Sequence, residues 1–414
     1  MKKPLSLKQS VLAAISIIGG LILMAAAIDP GLPLGYWDNP SAKVPSSHNW
    51  SELEKDLRPE ACAQCHAAQF NVWKKSLHAH AYSPGLVGQF PGQGHTYAND
   101  CLVCHAPLKE QLYTDPTDMD DSILLRLKHA EGFDADADAD YDVSDRDTKL
   151  LPLRHTGVSC AVCHVRNGDR FGPPPKTTGA VGKQDTPAHG GFTATKDFEQ
   201  SQFCASCHQF PDYMAINGKP LENTLIEWKN SSFSDKGVTC QVCHMPDRAH
   251  EFRGIHDPKM VKKGLSFSLT EQNHSANLSI TSTWIGHAFP TYVTPKVIVE
   301  AEALNAVGSI MQHQQWEIIR EVAYQGDGWK ELRDTRIMPG ETRQFLLKAL
   351  PTDARSVRYT VRVIPDNFYK GLYESLLSDE LTAVAGAHIR KANQQAANND
   401  YLLYEKVITL IQAH

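Results

Sequence analysis

The sequence predicts an α+β protein: an irregular, mainly helical segment over residues 57–263, then a β-sandwich-like unit over residues 264–414 with a helical appendage. Three observations predict it. All ten cysteines lie in the first segment, in five Cys-x-x-Cys-His units separated by turns and irregular stretches such as Pro173-Pro174-Pro175. From about Leu265 cysteine is absent, and short β-branched runs alternate with turn signals. Beyond Tyr369 the period changes to that of a helix, through Leu372, Leu376, Leu377, Leu381 and Val384.

Residues 1–28 come first. Lys2, Lys3 and Lys8 precede an uncharged, mostly apolar run from Val11 to Ile28, and no Lys or Arg follows before Lys43. The positive-inside rule puts the rest of the chain outside the cytoplasmic membrane. The run reads either as a signal peptide, with Ala25 and Ala27 forming the cleavage pattern, or as an inner-membrane anchor. Residues 29–56 are polar, contain Pro and Ser, and read as a tether.

The units are Cys62/Cys65/His66, Cys101/Cys104/His105, Cys160/Cys163/His164, Cys204/Cys207/His208 and Cys240/Cys243/His244. A disulfide framework does not require a histidine after each pair. Zinc sites take such pairs in twos, and five is odd. Each unit therefore reads as the covalent attachment point of a haem c, with the two thiols forming thioethers and the adjacent histidine serving as proximal iron ligand. Five haems in about 207 residues leave little room for an ordinary core, so the porphyrins must supply buried apolar surface. The expected first domain is thus a pentahaem one. Attachment requires export, which agrees with the N-terminus and a periplasmic or other extracytoplasmic location.

Fourteen of the nineteen histidines lie outside the units, enough for a second ligand at every iron. His78 and His80 follow the first unit on an expected helix from Gln69 to Leu77. His95 precedes Cys101 by six residues, His155 precedes Cys160 by five, and His250 and His256 follow the fifth unit. His287 stands in Gly286-His287-Ala288-Phe289-Pro290-Thr291. His48, His129, His313, His388 and His414 are remote or in polar contexts and read as ordinary histidines. On position, His78, His80, His95, His155, His250, His256 and His287 are all candidate distal ligands.

The formal charge of −6, which haem propionates would make more negative, argues against nucleic acid and suits a redox protein partner. Asp134 to Asp142 is a run of clustered carboxylates. It lacks the glycine and terminal Glu of a calcium loop, so it reads as a solvated acidic loop rather than a calcium site. In the second segment the expected strands are Ser266–Leu269, Leu278–Thr283, Val293–Val299, Ile318–Tyr324, Arg343–Leu347 and Val357–Ile364. A helix is expected over Tyr369–Ala396, then a shorter helix or strand over Tyr401–Ile411.

Residues 57–300 resemble the periplasmic multihaem cytochromes related to the cytochrome c-554 and hydroxylamine oxidoreductase family. The resemblance rests on Ala61–His66 followed by Trp73 and Ser76-Leu77-His78-Ala79, and on His155–Arg166. It also rests on Glu227–Ser231, Gly237–Pro246, His250 and Gly254-Ile255-His256. It implies closely packed haems, with His78, His155 and His256 as distal ligands to other haems. The Gly-His-x-Phe-Pro-Thr segment occurs in related multihaem proteins and implies His287 as another. The tetrahaem carrier of the family lacks a C-terminal β domain. Pentahaem nitrite reductase typically has lysine at its catalytic haem, whereas all five units here end in histidine.

The reading favours an electron-transfer protein over an enzyme. Five haems would carry electrons between a membrane or periplasmic donor and an acceptor. The alternative is an oxidoreductase with one open haem acting on a small nitrogen or sulfur compound, with His95, His189, Arg166 and Arg170 as candidate polar neighbours. A β domain without any haem motif could serve partner docking in either case.

Overall fold

The computed structural model describes residues 31–38, 40–43, 50–90, 94–113, 152–176, 188–326, 328–378, 381 and 383–411, with backbone only over 94–97. The apolar run 11–28 and the acidic stretch Asp134–Asp142 lie outside the described residues. Among the described residues no helix is long and apolar enough to cross a membrane.

Helix α1 (Pro59–Trp73) opens with Pro59, whose fixed φ suits a first turn, and carries Glu60 there, which suits the helix dipole. It kinks at His66. The helix expected over Gln69–Leu77 thus starts earlier and stops sooner. Trp73 is buried and its indole N–H donates to the Val158 carbonyl at 3.0 Å, which pins the end. The chain then turns, and His78 lies on that turn. Helix α2 (Gly94–His105) carries the second unit.

The strands of the second segment are β1 (Leu265–Gln272), β2 (Ser275–Ser282), β3 (Lys296–Leu304), β4 (Ile310–Ile318), β5 (Arg320–Tyr324), β6 (Trp329–Asp334), β7 (Thr342–Leu347) and β8 (Ser356–Ile364). Helices α3 (Asn367–Ser378) and α4 (Ala383–Asn398) follow, and β9 (Tyr401–Thr409) closes the chain. One sheet runs β7-β2-β1 and the other β9-β8-β3-β4, all antiparallel, with β5-β6 a separate hairpin. Burial alternates strictly along β3, so Val297, Val299, Ala301 and Ala303 face inward opposite Val363, Val361, Tyr359 and Val357 of β8. They meet Leu278, Ile280, Phe345 and Leu347 of the other sheet in one core. The Tyr359 hydroxyl reaches across to the Ala276 and Phe345 carbonyls at 2.6 and 2.9 Å.

Three details differ from the sequence expectation. Strands β4 and β6 lacked a signal because β4 is a largely exposed edge and β6 lies in a half-exposed hairpin, so neither needs apolar alternation. The helix expected over Tyr369–Ala396 is two helices. Both turn apolar residues into one cluster around Tyr373, Ile389, Ala392 and Ala396, which made their periods run together. The last element is a strand, paired with β8.

The helical pair does not rest on the sandwich alone. It packs on residues 84–88 of the first segment so closely that a Cβ on Gly85 would lie 2.0 Å from the Tyr373 hydroxyl. A second tie is polar and buried. Arg320, fully buried on β5, pairs with Glu331 at 2.9 Å and donates to the Ile216, Lys219 and Pro220 carbonyls. Arg336 pairs with Asp334 and with Glu227, each at 2.9 Å.

Candidate haem-binding sites

In all five units the helix stops or bends at the histidine. Helix α1 kinks at His66, α2 ends at His105, and the short helices Cys160–His164, Ala205–His208 and Cys240–His244 end there as well. Two cysteines three residues apart on a helical turn project on one side. The turn away at the next residue frees the imidazole.

Four of these imidazoles face a second one. Ring centroids are 6.4 Å apart for His66 and His189, 6.1 Å for His208 and His78, 6.1 Å for His164 and His250, and 6.3 Å for His244 and His287. Such spacing is too wide for ring stacking in contact. It fits two imidazoles on opposite sides of one metal ion, since two metal–nitrogen bonds of about 2.0–2.1 Å plus the ring radii give about 6 Å between centroids. The same spacing at four separate places is the strongest geometric feature of the segment.

The ring nitrogens are committed in a consistent way. Nδ1 of His105, His164 and His244 lies 2.9, 2.8 and 2.5 Å from the carbonyls of Ala81, Phe171 and Arg253. Nδ1 of His250 and His287 lies 3.0 and 2.9 Å from the carbonyls of Arg248 and Ala288. A carbonyl only accepts, so Nδ1 carries the proton and Nε2 keeps its lone pair for a metal. His208 differs, with Nδ1 3.4 Å from the Glu222 carboxylate. Burial pushes His78 down to about 3 and His164 and His244 down to about 4, which keeps the rings neutral as metal ligation demands. Burial acts the same way on His208, but Glu222 outweighs it and holds that ring up at about 9.

The thiols of different units lie near one another: Cys62 near Cys160, Cys104 near Cys207, and Cys204 near Cys240. Cys163 also senses Cys207. The first unit therefore neighbours the third, and the fourth neighbours the second, third and fifth. Units far apart in the chain form one connected set.

Comparison with known proteins agrees with this chemistry. Residues 60–257, just under half of the chain, match the family described as outer membrane cytochrome MtrC/MtrF-like, domains II/IV. The chain is a multihaem cytochrome. Among solved structures, a penta-heme cytochrome c552 from Thermochromatium tepidum superposes with a TM-score of 0.57 at 19% identity, over 87% of this chain and 100% of that one. At that identity the likeness is one of fold. MtrC from Shewanella baltica OS185 aligns over 68% of this chain and 41% of its own at 14% identity, with a TM-score of 0.15 that carries no structural argument. No curated protein matches.

A haem group suits what surrounds these rings. The donor set is neutral imidazole and thiol, as c-type haem requires. The buried apolar residues of the cysteine-bearing segment fall into small separate clusters, unlike the single core of the sandwich, so the segment has apolar surface to share with a porphyrin.

Of the distal candidates from sequence, His78 and His287 face unit histidines. The side chain of His95 lies outside the described residues. His155 is buried with its ring 4.8 Å from that of Tyr82, the residue after the carbonyl that binds His105. His256 Nε2 lies 3.0 and 3.1 Å from the Asp366 oxygens, so the nitrogen a metal would need is taken up by a carboxylate. The structure brings in His250 and His189 instead. His250 had a signal, six residues after His244. His189 had none: it sits in a Gly-rich stretch with φ +59 and reaches His66 across 123 positions of chain.

Proposed function

We propose that this multihaem cytochrome is an electron carrier with five haem c groups, one at each Cys-x-x-Cys-His unit. Four proximal histidines each facing a second imidazole at 6.1–6.4 Å carry the reading. When bound, each haem supplies a one-electron iron couple. The chain's own residues do the rest. Cys62, Cys65 and their eight counterparts hold the groups covalently. His66, His105, His164, His208 and His244 are the proximal ligands. His189, His78, His250 and His287 would supply the second imidazole at the first, fourth, third and fifth units, which would keep exogenous ligands away. His155 is assigned to the second unit, on its place beside Tyr82 and the Ala81 carbonyl. Proximity between thiols of different units favours short distances between neighbouring groups, which a relay needs.

The finer features of the proposal follow from sequence. The protein works outside the cytoplasm, held by residues 11–28 or released after their cleavage, between a membrane or periplasmic donor and a redox protein acceptor. It is related to the cytochrome c-554 and hydroxylamine oxidoreductase group, with a pentahaem domain over 57–263 and a sandwich over 264–414. The test is intact mass together with electron paramagnetic resonance of the exported protein. The expected result is five covalent haem additions and low-spin ferric signals only. A high-spin signal worth one haem in five would favour the alternative, an open site acting on a small nitrogen or sulfur compound.

A further inference from the structure

Resting on that reading, we propose that Glu222 sets the redox behaviour of the fourth unit, making its iron harder to reduce than a neutral hydrogen-bond acceptor would. Nδ1 of His208 lies 3.4 Å from Glu222 Oε2. That oxygen is buried and has no other hydrogen-bond partner, so the imidazole is its natural one. The placement is built into the backbone. The Phe210 amide donates to the Glu222 carbonyl at 2.8 Å, Gln209 and Asn223 form a β-bridge, and the Gln209 side chain donates to Asn223 Oδ1 at 3.1 Å. Residues flanking His208 and Glu222 are thus laced together, with the carboxylate alongside the ring.

The contrast with the other units gives the effect its direction. His105, His164 and His244 present Nδ1 to neutral carbonyls. A carboxylate in that position draws the Nδ1 proton, makes the imidazole a stronger donor through Nε2, and adds a negative charge near the metal. Both effects favour the ferric over the ferrous state. The fourth unit is also the one whose thiols lie near those of the second, third and fifth, so it is the branch point of the set. A low potential there means that electrons pass the branch without resting on it. Glu54 is a natural comparison, because its Oε1 lies 3.6 Å from Nδ1 of His189, but that oxygen already accepts the His189 amide at 3.2 Å and Ser51 donates to the other.

The experiment is potentiometric titration of the visible haem bands in the exported holoprotein and in Glu222→Gln, Glu222→Asp and Glu54→Gln. Glu222→Gln should move one midpoint of the five upward, with unchanged haem content and low-spin spectra. Glu222→Asp, which keeps the charge, should move the same midpoint less, and Glu54→Gln should leave it in place. Five unchanged midpoints in Glu222→Gln would overturn the proposal. So would a common drift of all five, loss of a haem, or a new high-spin signal, each of which assigns Glu222 to folding instead. A wild-type protein without five covalent haems would instead refute the carrier reading beneath it.

Discussion

Replacing Arg336 by Met tests whether the sandwich braces the fifth haem site. The Arg336 side chain is 1% exposed and that of Glu227 6%, at 2.9 Å from each other. Removing one partner of such a pair leaves a buried charge uncompensated and costs about 3–5 kcal/mol. Asp334, the other partner of Arg336, keeps Lys219 at 2.6 Å, so the loss falls at the lower end, about 3 kcal/mol. Glu227 does more than pair. Its Oε2 accepts the Ala288 amide at 3.1 Å, beside His287, so its displacement loosens the ring that faces His244. The assay is guanidinium denaturation of the holoprotein followed by far-ultraviolet circular dichroism, for Arg336→Met, Glu227→Gln and the double variant. The double variant should cost much less than the sum of the singles, with a coupling of about 2 kcal/mol or more. Paramagnetic resonance of Arg336→Met should show a loss of low-spin intensity at one haem. A cost for Arg336→Met within about 0.5 kcal/mol of zero, or strictly additive singles, would refute the reasoning.

Three further expectations follow from particular residues. His189→Ala and His250→Ala should each turn one ferric haem high-spin, whereas His256→Ala should keep all five low-spin; paramagnetic resonance tells them apart, and the reverse pattern would restore the sequence-based choice of His256. Gly157 has φ +56, and a Cβ there would lie 2.6 Å from the His78 carbonyl, so Gly157→Ala should destabilise by roughly 1–3 kcal/mol and weaken ligation by His78, read by thermal unfolding and the spin state of the fourth site. Burial opposes ionisation of Asp334, Glu331 and Asp366, but hydrogen bonds from Arg336 and Lys219, from Asn217, Arg320 and Lys219, and from His256 and Asn399 outweigh it, so all three sit below their ordinary values. Their unfolded forms take up protons first as the pH falls. The stability they contribute is therefore full above the ordinary carboxylate values of 3.8 to 4.5 and is lost progressively below them. Arg336→Met should flatten that acid limb in denaturation midpoints measured against pH.

Much of the fold was legible because burial leaves a period. Strands β2, β3 and β8 bury every second side chain, and their β-branched alternation shows it. Edge strand β4 is buried fully only at its end, Ile318, and hairpin strand β6 buries little, so no apolar alternation ran through Ile310–Ile318 or Trp329–Asp334. At the candidate sites the cysteines and proximal histidines were legible because attachment demands a fixed local spacing. His78 and His287 were legible from the segments around them. That His189 faces His66 was not, because such a pairing answers to distance in space, which a turn-rich chain can span with any number of residues.

The chain's amino acids alone determined the chemistry: ten thiols and five adjacent imidazoles are fixed by covalent neighbours, and no folding can change that pairing. Which second imidazole lies across from each, which units neighbour one another, and where Glu222 and Arg336 act were decided only when distant segments packed together. Those relations depend on separations of a few ångströms between residues up to 130 positions apart, a quantity that local spacing does not encode.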